Sequence, residues 1–269
     1  MKGLTFINEV RCRRSMLRQL VVRNLKIRYK ASVLGFLWTL INPVLMAAIY
    51  GLFMGLVARV AALDEIFIGV FVWQFTMTCI GDGIHLVLGN GNLIRKVYFP
   101  RMILPLATAA ANLVNFCLMF GVLMFILVLR QPGVVGPRLV QHLPHLAGLI
   151  GLQALLCLGV ICIVATANVY FRDTEHLVGI FTTAWFFLSP VMYPVTLVRE
   201  QWPQFLGPYL ANPMAGLLYG YRRALLLTPP ALCGPLLGWW ALSLAVAAGI
   251  GVAGVALFQR RQREFADLV

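Results

Sequence analysis

The side chains able to do chemistry in this chain are few and widely spaced. Its 269 residues include four histidines and nine acidic residues. Asp82 and His85, in "TCIGDGIH", stand three apart and so share one face of a helix. An ionisable residue inside an apolar run is a functional candidate by default; the alternative is a group two turns from a loop that simply reaches water. His142 and His145, in "RQPGVVGPRLVQHLPH", offer two metal donors with no third ligand nearby, so no metal site is expected. Cys12, Cys79, Cys117, Cys157, Cys162 and Cys233 form no CxxC pair and read as small packing residues. There is no GxxxxGK[ST] loop to cradle a phosphate, and no GxSxG or HExxH. No catalytic residue is expected, and a membrane-embedded lipid or sugar transferase would need an acid or histidine cluster that the sequence lacks. The expectation is a non-enzyme.

The charged groups that remain are basic. The net charge is +13, and its placement matters more than its size. Lys2, Arg11, Arg13, Arg14, Arg18, Arg23, Lys26, Arg28 and Lys30 crowd the first thirty residues. Arg95, Lys96 and Arg101 form a second group, Arg172 stands alone, and Arg260, Arg261 and Arg263 close the chain. Arg59, Arg130, Arg138, Arg199, Arg222 and Arg223 fall in the alternate connections between apolar runs. Basic residues mark the cytoplasmic side of a membrane protein, so the first set is expected inside, with both termini. No aromatic-studded basic domain stands apart from the apolar runs, which disfavours nucleic acid as a partner.

The elements that must position these groups are membrane helices. Mean hydropathy is +0.86 and 61% of residues are hydrophobic, beyond the range of soluble domains. Apolar runs near 31–58, 66–88, 102–129, 146–171, 177–198 and 235–258 are each long enough for about 20 residues of spanning helix. They lack the alternation of a membrane barrel, and helices satisfy their own backbone in lipid. The predicted fold class is therefore an all-α integral membrane protein with six transmembrane helices. Residues 1–30 read as a basic amphipathic helix lying on the cytoplasmic surface: Leu4, Ile7, Val10, Leu17, Leu20, Val21 and Leu25 recur at helical spacing among arginines. They show no signal-peptide pattern. Residues 31–269 form the transmembrane domain, with Asn42-Pro43 kinking its first span. The segment 130–145 is predicted as an outer loop. The segment 199–232, broken by Pro203, Pro208, Pro213, Pro229 and Pro230, is predicted as short helices re-entering the outer leaflet. Irregular backbone there is tolerated only against protein or a watery cavity. No internal repeat appears, which disfavours an inverted-repeat carrier.

One stretch stands out against this background. "GNGNLIRKVYFPR", residues 89–101, is basic and begins with turn residues between two spans. On residue types alone it is either a plain positive-inside loop or a short helix protruding between breakers.

"RNLKIRYKASVLGFLWTLINPVL", "GNGNLIRKVYFPRMILPLA", "NVYFRDTEHLV", "LSPVMYPVTLV", "NPMAGLLYGYRRALL" and "EFADLV", in that order, resemble the permease subunits of type-2 ATP-binding-cassette polysaccharide exporters, which move O-antigen, capsule and teichoic-acid chains. The resemblance covers essentially the whole sequence. Asp82 departs from it, at a position where a small or hydroxyl residue is expected.

The resemblance implies a homodimer in the bacterial inner membrane, served by two separate ATP-binding-cassette ATPase subunits. ATP and Mg2+ bind those subunits, and this chain holds no cofactor. It implies that 89–101 is the coupling helix docked on the ATPase. Leu93, Ile94, Val97, Tyr98 and Phe99 would supply apolar anchors, Arg95 and Lys96 charge, and Asn90, Asn92, Pro100 and Arg101 the flanks. The cargo is a sugar polymer on an isoprenoid pyrophosphate, which Arg23, Lys26, Arg28 and Lys30 would guide. Aromatic faces can stack on sugar rings with few directional bonds, by analogy with base stacking. The candidates for the translocation path are Phe36, Trp38, Phe71, Trp73, Trp185 and Tyr193, with Asp82; the alternative for each ring is packing or an interfacial belt. Arg222 and Arg223 are candidates for an outer gate, or for snorkelling to water. A small-molecule or lipid efflux permease of the same superfamily is the nearest rival; such proteins usually carry a large outer domain between the first two spans.

Overall fold

A computed structural model describes residues 13–29, 35, 37–58, 63–96, 99–171, 173–226 and 234–265. Helices α1 (Arg14–Tyr29), α2 (Leu37–Phe53), α3 (Leu63–Ile84), α4 (Gly91–Lys96) and α5 (Ile103–Arg130) come first. They are followed by α6 (Pro132–Gln141), α7 (Leu143–Tyr170), α8 (Thr174–Phe187) and α9 (Val195–Gln201). The last three are α10 (Leu206–Leu210), α11 (Pro213–Leu225) and α12 (Pro235–Arg261). No strand occurs among the described residues.

Five helices among the described residues are long and apolar enough to cross a membrane: α2 with its π-helical extension to Val57, α3, α5, α7 and α12. They coincide with five of the six predicted spans. The fifth predicted run, 177–198, does not form one helix. α8 has 14 residues, about 21 Å at 1.5 Å per residue, short of a hydrocarbon core of about 30 Å. The chain leaves it at Leu188, turns through Ser189-Pro190, and starts α9 after Pro194. Pro190 cannot donate into a continuing helix and biases Ser189 away from helical backbone, so the apolar run outlasts the helix. The expected outer loop at 130–145 is helical over much of its length. It is mostly α6, because Pro132 sits in the first turn, where a missing N–H costs nothing.

α3 is the centre of the bundle. Of its most apolar stretch 61% is buried inside the chain, against 22% for α2 and 28% for α12. It packs on α2, α5 and α7, while α7 runs along α12. That last contact is close because both helices are bare where they meet. A Cβ on Gly159 would lie 2.5 Å from the Gly251 Cα, and one on Gly254 would lie 2.2 Å from the Gly159 carbonyl. Small residues at a helix crossing let backbones pack in lipid, where no hydrophobic effect pulls helices together. Polar side chains add directional contacts. Gln153 donates to the Val72 carbonyl at 2.9 Å and accepts from the Tyr221 hydroxyl at 2.9 Å, and Asn168 donates to the Ile84 carbonyl at 2.7 Å. α2 and α12 present Leu45, Ile49, Leu52, Leu237 and Val252 outward, a surface that only lipid or another apolar protein face can cover.

Candidate functional site

The two ends of the bundle carry different chemistry. At one end α1 packs on α5. Leu20 is buried, and Met16, Leu17 and Val21 pack on the core. Four polar contacts fix its register. Arg23 donates to Asn90 at 2.7 Å, Asn24 donates to Thr108 at 3.3 Å, and Arg28 meets both Asp82 and Asn112. The outward side of α1, with Arg18, Val22, Arg23 and Lys26, lines an open groove of about 1090 Å³.

The 89–101 stretch lies at the same end. A 3-10 turn, Leu88–Asn90, leads straight into α4. Asn90 donates to the Leu86 carbonyl at 2.8 Å while accepting from Arg23, so it closes the turn and ties it to α1. The short helix expected between breakers is therefore present, although Gly91 and Asn92 belong to the helix and not to a turn. The faces of α4 differ from expectation. Asn92, Arg95 and Lys96 are exposed. Ile94 and Phe99 are 6% exposed and belong to the chain's own core, with Leu93 packed against it. These three apolar residues hold the loop to the bundle and are not anchors offered to a partner. A six-residue helix has room for one buried face, and the bundle takes it. Val97 and Tyr98 lie outside the described residues. Pro100 and Arg101 lead into α5, and Arg101 donates to the Gln262 carbonyl. Glu264 accepts from the Tyr170 hydroxyl and pairs with Arg261 at 3.2 Å. The Tyr170 hydrogen bond, and Arg261 after it, hold the Glu264 carboxyl below its ordinary range.

The four cations predicted to meet a pyrophosphate have different surroundings. Lys26 is exposed. Arg23 is engaged with Asn90, and Arg28 is held by Asp82 and Asn112; Lys30 lies outside the described residues. Asp82 thus faces the interfacial helix. His85, predicted to share its face, instead stands 3.7 Å from Glu175 at the start of α8.

Of the predicted path residues, Trp73 and Trp185 meet edge to face at 5.6 Å. Phe186 joins Trp73 at 5.6 Å, Tyr50 joins Phe186 at 5.6 Å, and Phe181 joins Trp185 at 5.8 Å. These rings form one aromatic cluster between α2, α3 and α8. Phe71 is elsewhere: it is fully buried in the core. Two residues on, a helix has rotated about 200°, so Phe71 and Trp73 cannot line the same wall, and Phe71 is corrected to a packing residue. Trp38 is exposed on α2, and Phe36 lies outside the described residues. Tyr50, Phe181 and Phe186 were missed in the sequence. The spacing of Phe181 and Trp185, four apart, was the available signal.

At the opposite end, Arg222 is 1% exposed. Its guanidinium donates to the carbonyls of Glu65 at 2.9 Å, Pro190 at 2.6 Å and Tyr193 at 3.2 Å, and stands 3.6 Å from the Glu65 carboxylate. It does not snorkel to water. It binds the turn after α8 to the start of α3, supplying donors to irregular backbone there. A Cβ on Gly69 would meet the Val191 carbonyl at 2.1 Å, so glycine there lets the turn close down. Arg223 faces another way, exposed, with its Nη1 3.1 Å from the Tyr219 hydroxyl. Tyr193 donates to the Phe187 carbonyl at 2.9 Å and lies 3.0 Å from the Tyr209 hydroxyl. Both line a cavity of about 430 Å³ with Phe187, Trp202 and Phe205. Asn212 knits this end together. It caps α11 through the Met214 N–H at 3.0 Å, accepts from the Trp185 indole at 2.9 Å, and donates to the Leu188 carbonyl at 3.0 Å.

The ABC-2 type transporter family matches residues 16–226. The O-antigen export system permease protein RfbA of Myxococcus xanthus is 31% identical over 269 residues, covering 99% of this chain and 100% of its own. Two O-antigen export system permease proteins RfbA of Klebsiella pneumoniae are 28% and 26% identical over 255 and 258 residues, each alignment covering 92% of both chains.

Proposed function

This chain belongs to the ABC-2 type transporter family, and from that premise we propose that it is the membrane-spanning subunit of an exporter of lipid-linked polysaccharide. The family makes it a multi-pass transporter component that works with an ATPase subunit. In our reading it acts as a homodimer in the bacterial inner membrane, both termini are cytoplasmic, and ATP is hydrolysed only on two separate subunits. The cargo follows the relatives, whose names state O-antigen export.

The observation that carries the reading is α4. A short helix stands at the same end as α1 and the C-terminal residues, seated by Ile94 and Phe99 and presenting Asn92, Arg95 and Lys96 outward. That is the form of a charged knob on a rigid base: apolar contacts fix its position, and cations select an acidic groove on the ATPase. ATP-driven closure of the ATPases would push the knob, and the spans beneath it would tilt. In the aromatic cluster Trp73 is 6% exposed and packed in the core, and the partly buried Trp185 with the exposed Phe181 would offer the stacking surface to a passing sugar chain. The four residues between the π-helical turn and α3 leave no room for a large outer domain, which favours the polysaccharide reading over a small-molecule efflux permease.

The test is Arg95→Glu with Lys96→Glu in a strain lacking the chromosomal copy. Membrane levels should match wild type, while co-purifying ATPase falls about tenfold, the equivalent of 1.4 kcal/mol, and surface polysaccharide is lost. A variant that keeps its ATPase and its surface polymer refutes the docking role.

A further inference from the structure

We propose that Arg28, Asp82 and Asn112 form a strut that carries movement of α1 and the coupling loop into α3 and α5. The proposal rests on the exporter reading above and concerns how its stroke reaches the membrane. The three side chains close a triangle. One Nη of Arg28 reaches the Asp82 carboxylate and also stands 2.7 Å from the Asn112 Oδ1, and the Asn112 amide donates to the same Asp82 oxygen at 2.9 Å. Each corner belongs to a different helix. Asn112 is 1% exposed, so one corner is fixed inside α5. Arg28 and Asp82 are 24% and 39% exposed, at the water boundary, where an ion pair avoids the full desolvation of a buried one.

Two further facts make this a strut and not an isolated pair. First, α1 is held near its middle by Arg23 on Asn90, the residue immediately before α4. Displacing α4 therefore drags α1, and α1 is tied five residues further on to α3 and α5. Second, apart from one neutral hydrogen bond from Asn24 to Thr108 at 3.3 Å, the other described contacts of α1 with the bundle are Met16, Leu17, Leu20 and Val21 on apolar neighbours. Such contacts are non-directional and permit sliding, whereas a charge-assisted triangle fixes position. Asp82 would be costly in a membrane helix without a cation, and Arg28 supplies it. Asp82 is on this account a positioning residue: it touches no cargo and sets where α1 stands.

The experiment uses the complete permease–ATPase complex in proteoliposomes, with Arg28→Gln, Asp82→Asn and the double variant, changes that remove each charge and leave a polar side chain. It reads ATP hydrolysed per polymer moved, and the distance between spin labels at Val22 and Asn92 in a cysteine-free background. Each single variant should raise ATP per polymer about fivefold and broaden the label distance, and the double variant should be no worse than either, because groups acting through one contact are non-additive. Wild-type ratios and a narrow distance in both singles, or single effects that multiply in the double, overturn the strut. A wild-type complex that hydrolyses ATP without moving polymer defeats the exporter reading instead, and the label distance still decides whether the triangle holds α1.

Discussion

The two ends of the bundle solve the same problem in opposite ways. At both, chain that is not a spanning helix must be held against the spans. At the Arg222 end one buried guanidinium gathers backbone carbonyls from α3 and from the turn after α8. At the α1 end the work is divided among side-chain pairs that are partly or fully exposed: Arg23–Asn90, Arg28–Asp82, His85–Glu175 and Arg261–Glu264. A buried clamp on backbone is all-or-none, since losing it strands polar groups in a dry site. Each exposed pair is weaker than the clamp, and together they tie α1 and α4 to the bundle without stranding a buried group when these elements move as one. The first arrangement suits a fixed cap and the second suits a surface that must move.

The sharpest way to break this comparison is Arg222→Ala. Removing the clamp leaves carbonyls of Glu65 and Pro190 without their donor and a carboxylate without its cation, at a cost of about 3 kcal/mol. Detergent-solubilised protein should show a large fall in melting temperature. Gly69→Ala strikes the same contact from the other side. Its methyl would meet the Val191 carbonyl, backbone that cannot rotate away, and thermal unfolding should report a loss of about 2 kcal/mol. The Arg95→Glu, Lys96→Glu variant should leave the melting temperature unchanged, because both side chains are exposed, and act only on ATPase binding. Asn90→Ala, which removes the link to Arg23 and the closure on Leu86, should cost about 1 kcal/mol. The smallest effect belongs to pH. Glu264 has its folded pKa depressed, so its contact with Tyr170 and Arg261 stabilises the folded chain above the ordinary carboxylate range. That contribution is lost as pH falls through the lower, folded value. Replacing Glu264 with Gln should remove this small acid-dependent step from a melting-temperature profile.

Much of the fold was legible because apolar length is a direct physical requirement of a bilayer. α3, α5, α7 and α12, and most of α2, follow from it. α8 was misread because hydropathy counts residues and does not register that Ser189-Pro190 ends a helix inside an apolar run. The site was less legible. The charged face of α4 was visible in "LIRK", but the inward turn of Ile94 and Phe99 depends on α3 and α5 being behind them. Arg28 and Asp82 are 54 residues apart, and no local pattern links them. Arg222 reads as a surface cation in "GYRRALL", and only the returning turn at Pro190 makes it a buried one. Phe71 and Trp73 could have been separated on paper, since helical geometry alone puts them on opposite faces.

In the proposed mechanism this chain is a conduit with no motor of its own, driven through α4. Reconstituting it in proteoliposomes with its ATPase partner, and following lipid-linked polysaccharide across the bilayer, tests that most directly. Polymer should cross only when ATPase and ATP are both present, and the Arg95→Glu, Lys96→Glu variant should move none. Transport by the permease alone, or undiminished transport by that variant, would contradict it.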